Sequence, residues 1–243
     1  VYTGSLSMPI LRKTTSPANI LAGLLSLFFA GAAPASTAGN EFTDFTFTLT
    51  CPDGDGPFST MVILPDQSDG RTTRQLAQAL AENEIAAAVY TGRAETGPTT
   101  REALQVVAAL KDNKKIDQKS IFVLGHGQNA ALIPLIAAAN QNICGFVLLA
   151  GAAAPEKNSN YNAAEAIKRV TRPLMIVQGA KDKIVSADNF QIWWEALDGR
   201  TNATFKVYSD LDHSFSKANE NTFSAEAIND LSKWLKAQGE PTP

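Results

Sequence analysis

The stretch Ser120–Pro134, SIFVLGHGQNAALIP, decides the reading of this chain. An apolar run, Ile121–Leu124, ends in Gly125-His126-Gly127, and a helical window near Asn129–Asn140 follows, so a buried strand turns sharply into a helix. The spacing is that of the G-x-S-x-G elbow, in which a strained strand-to-helix turn presents a serine. Here Gly127 stands at the serine position and Asn129 at the last glycine position. Glycine takes strained backbone angles at little cost, so the turn can survive the change while the hydroxyl does not. An acid and a histidine follow downstream, Asp182 in QGAKDKIV and His213 in YSDLDHSF. Two members of a Ser-His-Asp set therefore accompany a glycine.

Outward from the elbow, short apolar runs alternate with amphipathic windows, the pattern of a mostly parallel sheet covered by helices on both faces. The predicted strands are Phe45–Thr50, Thr60–Leu64, Ala86–Tyr90, Ile121–Leu124, Phe146–Ala150, Leu174–Gln178 and Thr204–Tyr208. The predicted helices lie near Arg71–Glu82, Arg101–Asn113, Asn129–Asn140, Ala187–Leu197 and Ser224–Ala237. EFTDFTFTLT alternates apolar and polar residues as an edge strand should, whereas VLGHG and VLLAG suit the sheet centre. Sites in such sheets form beyond the carboxyl ends of the strands, and Gly127, Asp182 and His213 all follow strand ends. Their order in the chain, nucleophile position, acid, histidine, is one of the known triad orders.

A chain of 243 residues, 44% hydrophobic and 19% charged, can bury one sizeable core as a single domain. The formal charge of -3 and the pI near 5.5 give no basic excess for nucleic acid, and no aromatic-basic interleaving supports such a partner. Arg12 and Lys13, the apolar run Ile20–Ala33 and the small residues Ala33-Pro34-Ala35 follow the order of a secretory signal peptide. The run is interrupted by Gly23 and Gly31 and is short of the ~20 residues that span a bilayer. The expectation is a signal over residues 1–35 and one domain over 36–243, exported to the periplasm or beyond, with no membrane anchor after cleavage. Residues 1–7 precede the first methionine, Met8, and are set aside as upstream of the start. Cys51 and Cys144 could pair in an oxidising compartment, but a packing role suits Cys144 at the start of an apolar run; the sequence leaves their pairing open. With only His126 and His213, no histidine pair has metal-ligand spacing, and neither metal nor cofactor is expected. Nothing in the chain fixes an oligomeric state.

From about Phe58 to Leu235 the chain resembles a small exported bacterial member of the α/β-hydrolase superfamily, of the serine-aminopeptidase-like and dienelactone-hydrolase-like kind. LGHGQNAALIPLIAA with VLLAGAA behind it resembles the elbow and its helix. PLMIVQGAKDKIVSADNF resembles the acid-bearing strand end, and TFKVYSDLDHSF the histidine loop. The resemblance implies an α/β-hydrolase fold, ester-hydrolase ancestry, and His213, Asp182 and position 127 as the catalytic set. It also implies an oxyanion hole, of which the N–H of Gln128 is the expected remaining donor. Pro65, in the loop Pro65–Gly70 where the resemblance puts the other donor, has no N–H to give. Thr91–Gly97 keeps Arg93 and Gly97 of an aspartate-arginine-glycine turn. Ala152–Arg172 is long enough for a helix near Ala163–Val170 but scarcely for a lid domain, so the cleft is expected to be shallow.

Each candidate has a plainer reading. Gly127 can be a retained corner. Asp182 can cap the next helix or pair with Lys181 or Lys183, and Asp210 or Asp212 can hold His213 as a surface ion pair. His126 suits packing or hydrogen bonding. Ser214 and Ser216 adjoin His213, but neighbours in one loop seldom reach in-line geometry. Trp193-Trp194 sit on a helix, with at least one expected in the core. Three functional readings follow: a degenerate hydrolase that binds a small acyl or ester-like ligand, a slow serine-free hydrolase in which His213 and Asp182 activate water, and a non-catalytic interaction protein.

Overall fold

The computed structural model describes residues 2–7, 46–66, 70–92, 98–153 and 161–239. Within these, eight strands form one sheet in the order β1-β2-β4-β3-β5-β6-β7-β8. They are β1 (Tyr2–Ser7), β2 (Thr46–Cys51), β3 (Phe58–Leu64), β4 (Ala86–Tyr90), β5 (Ile116–His126), β6 (Gly145–Leu149), β7 (Leu174–Gly179) and β8 (Ala203–Tyr208). β1 and β2 run antiparallel to their neighbours, and β3 to β8 pair in parallel. The helices are α1 (Gly70–Glu82), α2 (Thr100–Leu110), α3 (Ile133–Ala139), α4 (Ala163–Ile167), α5 (Ala187–Ala196) and α6 (Ala225–Gly239).

Period-two alternation explains the two-sided core. Along β5, Ile121 and Val123 point to the layer that holds Val106, Ile133, Ile136 and Trp193, while Phe122 and Leu124 face Leu76, Leu231 and Trp234. Both neighbours of a central parallel strand are strands and both faces are covered, so only apolar residues fit there. Trp193 is fully buried, and its indole N–H donates to the Gly151 carbonyl at 2.9 Å; Trp194 is 45% exposed. α2 starts with a capping box, Thr99 Oγ1 accepting from the Glu102 N–H and the Glu102 carboxylate accepting from the Thr99 N–H.

Three expectations need correction. β2 is not an edge strand: Tyr2–Ser7, set aside on sequence grounds, takes up its outer hydrogen bonds with Tyr2 opposite Cys51. The elbow helix does not begin as an α-helix near Asn129, because Gly127–Leu132 form a 3-10 turn and α3 starts at Ile133. Pro134 has no N–H for an α-type bond into that turn, so the tighter pattern persists up to it. α4, the helix expected near Ala163–Val170, ends at Ile167. Cys51 and Cys144 are both free thiols. The expected signal and its cleavage point, together with Arg93 and Gly97, lie outside the described residues. No helix among the described residues is long and apolar enough to cross a membrane.

Candidate functional site

β5, β7 and β8 all run in the same direction, so the turns that leave their carboxyl ends meet at one edge of the sheet. Gly127 follows β5 with a left-handed φ of +58°, the strained turn that its place in the elbow demands. Gly125 lets the elbow fold back closely: a Cβ there would lie 2.6 Å from the Asn129 carbonyl oxygen and 2.7 Å from the Ala130 Cα. The Gly127 carbonyl accepts from the Ala152 N–H at 3.0 Å, tying the turn to the end of β6.

Asp182 lies in the turn after β7 and is wholly satisfied. Its Oδ1 accepts from the N–H groups of Ile184 and Val185 at 2.8 and 2.9 Å. Its Oδ2 accepts from Gln178 Nε2 at 3.0 Å and from His213 Nδ1 at 2.8 Å. Burial works against its charge, but the bonds from His213 and from the two backbone N–H groups outweigh it, and the carboxyl titrates below the usual aspartate range. Asp182 thus caps its own turn and also orients the imidazole.

The His213 loop is brought to this turn by close backbone contact. A Cβ on Gly179 would overlap the Leu211 carbonyl oxygen and lie 2.6 Å from that of Asp212. Gly179→Ala is therefore expected to push the His213 loop outward and to cost roughly 2 kcal/mol, the scale of overpacking; urea unfolding curves of the two proteins measure it. Neither flanking acid holds the histidine. Asp210 pairs with Lys217 at 3.1 Å, and Asp212 Oδ1 accepts from the N–H groups of Ser214 and Ser216. His126, the variable residue of the elbow, stacks on the His213 ring, centroids 4.7 Å apart, and its Nε2 donates to the His213 carbonyl at 3.1 Å.

Reasoning from sequence missed the group that stands over Gly127. A Cβ built on Gly127 would overlap Asp66 Oδ2 and lie 2.9 Å from Asp66 Cγ. The same Oδ2 is 3.4 Å from His213 Nε2, so His213 stands between two carboxylates, Asp182 on Nδ1 and Asp66 toward Nε2. At that distance the second contact is an ion pair without a hydrogen bond, and Nε2 is buried with no hydrogen-bond partner. Burial alone would lower the imidazole's pKa; the two carboxylates more than offset it and raise it to about 9. Asn129 supplies the positioning. Its Nδ2 donates to the Pro65 carbonyl at 2.7 Å and so holds the chain one residue before Asp66 against the elbow. Both departures at the elbow, glycine at 127 and asparagine at 129, bear on one carboxylate. Asp66 reaches this place because it follows β3 and β3 pairs with β5, a pairing that the sequence does not write.

A cleft of about 690 Å³ opens over His213, lined by Lys181, Lys183, Ile184, Asp210, Ser214 and Lys217 among others. Ser214 and Ser216 are near the ring, but the Ser216 hydroxyl donates to the Thr222 carbonyl. No group of three or more His, Cys, Asp or Glu side chains among the described residues is arranged to hold a metal ion.

Comparison with known proteins gives the family and the fold. Residues 61–238 match the dienelactone hydrolase family. The chain is 24% identical over 235 residues to Esterase EstD of Thermotoga maritima, covering 68% of this chain and 56% of that protein. It thus spans little more than half the length of this relative. Its fold matches that of a putative dienelactone hydrolase from Klebsiella pneumoniae, with TM-score 0.64, 18% identity, 82% of this chain and 94% of the other. A sugar hydrolase from Lactococcus lactis superposes with TM-score 0.66 at 17% identity, over 84% and 97% of the two chains.

Proposed function

Since this chain belongs to the dienelactone hydrolase family, we propose that it is an ester-hydrolase-type protein closed to the serine route, whose cleft binds a small acyl or ester-like ligand without turnover. The observation that carries this reading is the Asp66 carboxylate in the seryl volume over Gly127, paired with His213. An acyl-enzyme needs a hydroxyl and a neutral imidazole to take its proton. Position 127 lacks the first, and the pair of carboxylates withholds the second.

Serine-free hydrolysis by His213, Asp182 and water is the second reading, favoured by their 2.8 Å hydrogen bond. General-base catalysis contributes about 10²–10⁴-fold. With a pKa of about 9 for His213, only about 1% of the imidazole is neutral at pH 7, which removes most of that gain. The experiment is the initial hydrolysis rate of a short activated aryl ester at pH 7 by the wild type and by His213→Ala, matched for fold and purity. Equal rates are expected. A wild-type rate above buffer that collapses in the variant would replace the binding reading with the hydrolytic one.

Export also belongs to this proposal, on the order Arg12, Lys13, Ile20–Ala33, Ala35. Cleavage after Ala35 would remove β1 and leave β2 as the antiparallel edge its alternating pattern fits. The mass of the protein recovered from the periplasm or medium tests it, an uncleaved cytoplasmic chain being the contrary result.

A further inference from the structure

His213, one of the residues that line the cleft, carries a buried donor that the fold does not satisfy. His213 is 3% exposed, its Nδ1 is committed to Asp182, and its Nε2 has no hydrogen-bond partner. Asp66 comes within 3.4 Å of that nitrogen but does not make the bond. A carboxylate is nevertheless the group that the fold itself brings there. Asp66 Oδ2 stands over Gly127, where a side chain at 127 would begin.

Building on the reading of a site that binds without turnover, we propose that the ligand of this cleft is a small organic carboxylate, the acid rather than the ester, and that Asp66 is its internal competitor. The incoming carboxylate takes the Nε2–H of His213 in a charge-assisted hydrogen bond, which is short and about twice as strong as a neutral one. Asp66 swings out to solvent, where its side chain, 13% exposed, already has an edge. His213 keeps two carboxylate neighbours throughout, so the exchange buries no uncompensated charge. An ester has no negative charge to trade for that of Asp66 and would leave the imidazolium facing a neutral oxygen.

The rim is compatible with an anion. Lys181 and Lys183 line the cleft and carry no ion pair among the described residues. Of the acids on the same rim, Asp210 is paired with Lys217 and Asp212 accepts from two backbone N–H groups, so Asp212 and Glu220 are the two rim anions to set against Lys181 and Lys183. Asn129 is the positioning residue for the competitor, since its bond to Pro65 keeps Asp66 near the histidine. Removing the competitor removes the population penalty that the ligand pays in the wild type.

The test is an NMR titration of the His213 ring signals, at pH 7 and constant ionic strength, with acetate and benzoate, their methyl esters, and chloride. Saturable shifts are expected with the two acids and none with the esters or chloride. Asp66→Ala is expected to tighten acetate and benzoate binding at least about tenfold, and Asn129→Gly to tighten it in the same direction by less. No saturable shift with either acid, equal binding of acid and ester or of chloride, or unchanged affinity in Asp66→Ala would each overturn the proposal. Reading the wild-type ring directly means the result does not depend on a His213 variant that fails to fold. Ester turnover is measured separately, so loss of the binding reading and loss of the carboxylate assignment give different results.

Discussion

Gly127→Ser alone is expected to yield no ester hydrolase, whereas Gly127→Ser combined with Asp66→Ala is expected to hydrolyse an activated aryl ester at least ~10²-fold faster than the single variant. The size follows from what general-base activation of a nucleophile contributes. In the single variant the new Cβ overlaps the Asp66 carboxylate, which must rotate away. With no other carboxylate to take its place, it stays beside the His213 ring and keeps His213 protonated. A left-handed φ at a non-glycine residue adds roughly 1 kcal/mol of strain, tolerable in a packed turn. Removing Asp66 frees the seryl volume and lowers the histidine's pKa toward its ordinary range, so that the hydroxyl meets a base. The double variant is still expected to fall short of a complete site. Pro65 has no N–H to donate to the oxyanion, and loss of one such donor costs about 10²–10³-fold. Steady-state rates of wild type, both single variants and the double variant settle it. Full activity in Gly127→Ser alone would mean that Asp66 is not an obstacle, and inactivity of a folded double variant would place the defect in the oxyanion loop instead.

The second large effect is on stability. His213 titrates at about 9 in the folded chain against an ordinary 6.5. A raised folded-state pKa means that the native state holds the proton more tightly than the unfolded chain. The resulting stabilisation is fully present below about pH 6.5 and is lost as pH rises through about 9. The difference amounts to about 3 kcal/mol, and a side chain this buried is little screened by solvent. Asp182 acts in the opposite sense: its pKa is depressed, so its contribution is present above its unfolded value and is lost as pH falls through the folded one. Unfolding free energies are therefore expected to be highest between about pH 5 and 6.5 and to decline toward about pH 10. Denaturant unfolding of the wild type and of His213→Gln at about pH 6 and pH 10 measures this, because groups other than His213 titrate alike in both. If both lose the same stability over that interval, the histidine is not held as an imidazolium.

Much of the architecture could be read directly. The seven strands expected on apolar runs all form, with ends shifted by a few residues at most except at β5, which begins at Ile116. The alternation of strand and helix pointed to a mostly parallel sheet, because burial on one or two faces leaves a period in the chain itself; the strand order came from the structure. The elbow was legible at Gly127 and the partners at Asp182 and His213 because each sits at a strand end. Residue 127 is a glycine and carries no hydroxyl.

The sequence by itself determined the seven strands β2 to β8, the rough places of the helices, the place of the elbow, and the glycine there. Only the tertiary structure decided what stands over that glycine. Asp66 is 61 residues before Gly127 and carries no periodic or motif signal; its role follows from β3 lying beside β5 and from Asn129 bonding to Pro65 across 64 positions. The partner strand of β2 was hidden for the same reason, since Tyr2–Ser7 pair with residues 39 to 49 positions away. Local patterns are written by which face of an element meets water. Which carboxylate meets which imidazole depends on how distant strand ends are brought together, and no single stretch of the chain encodes that distance.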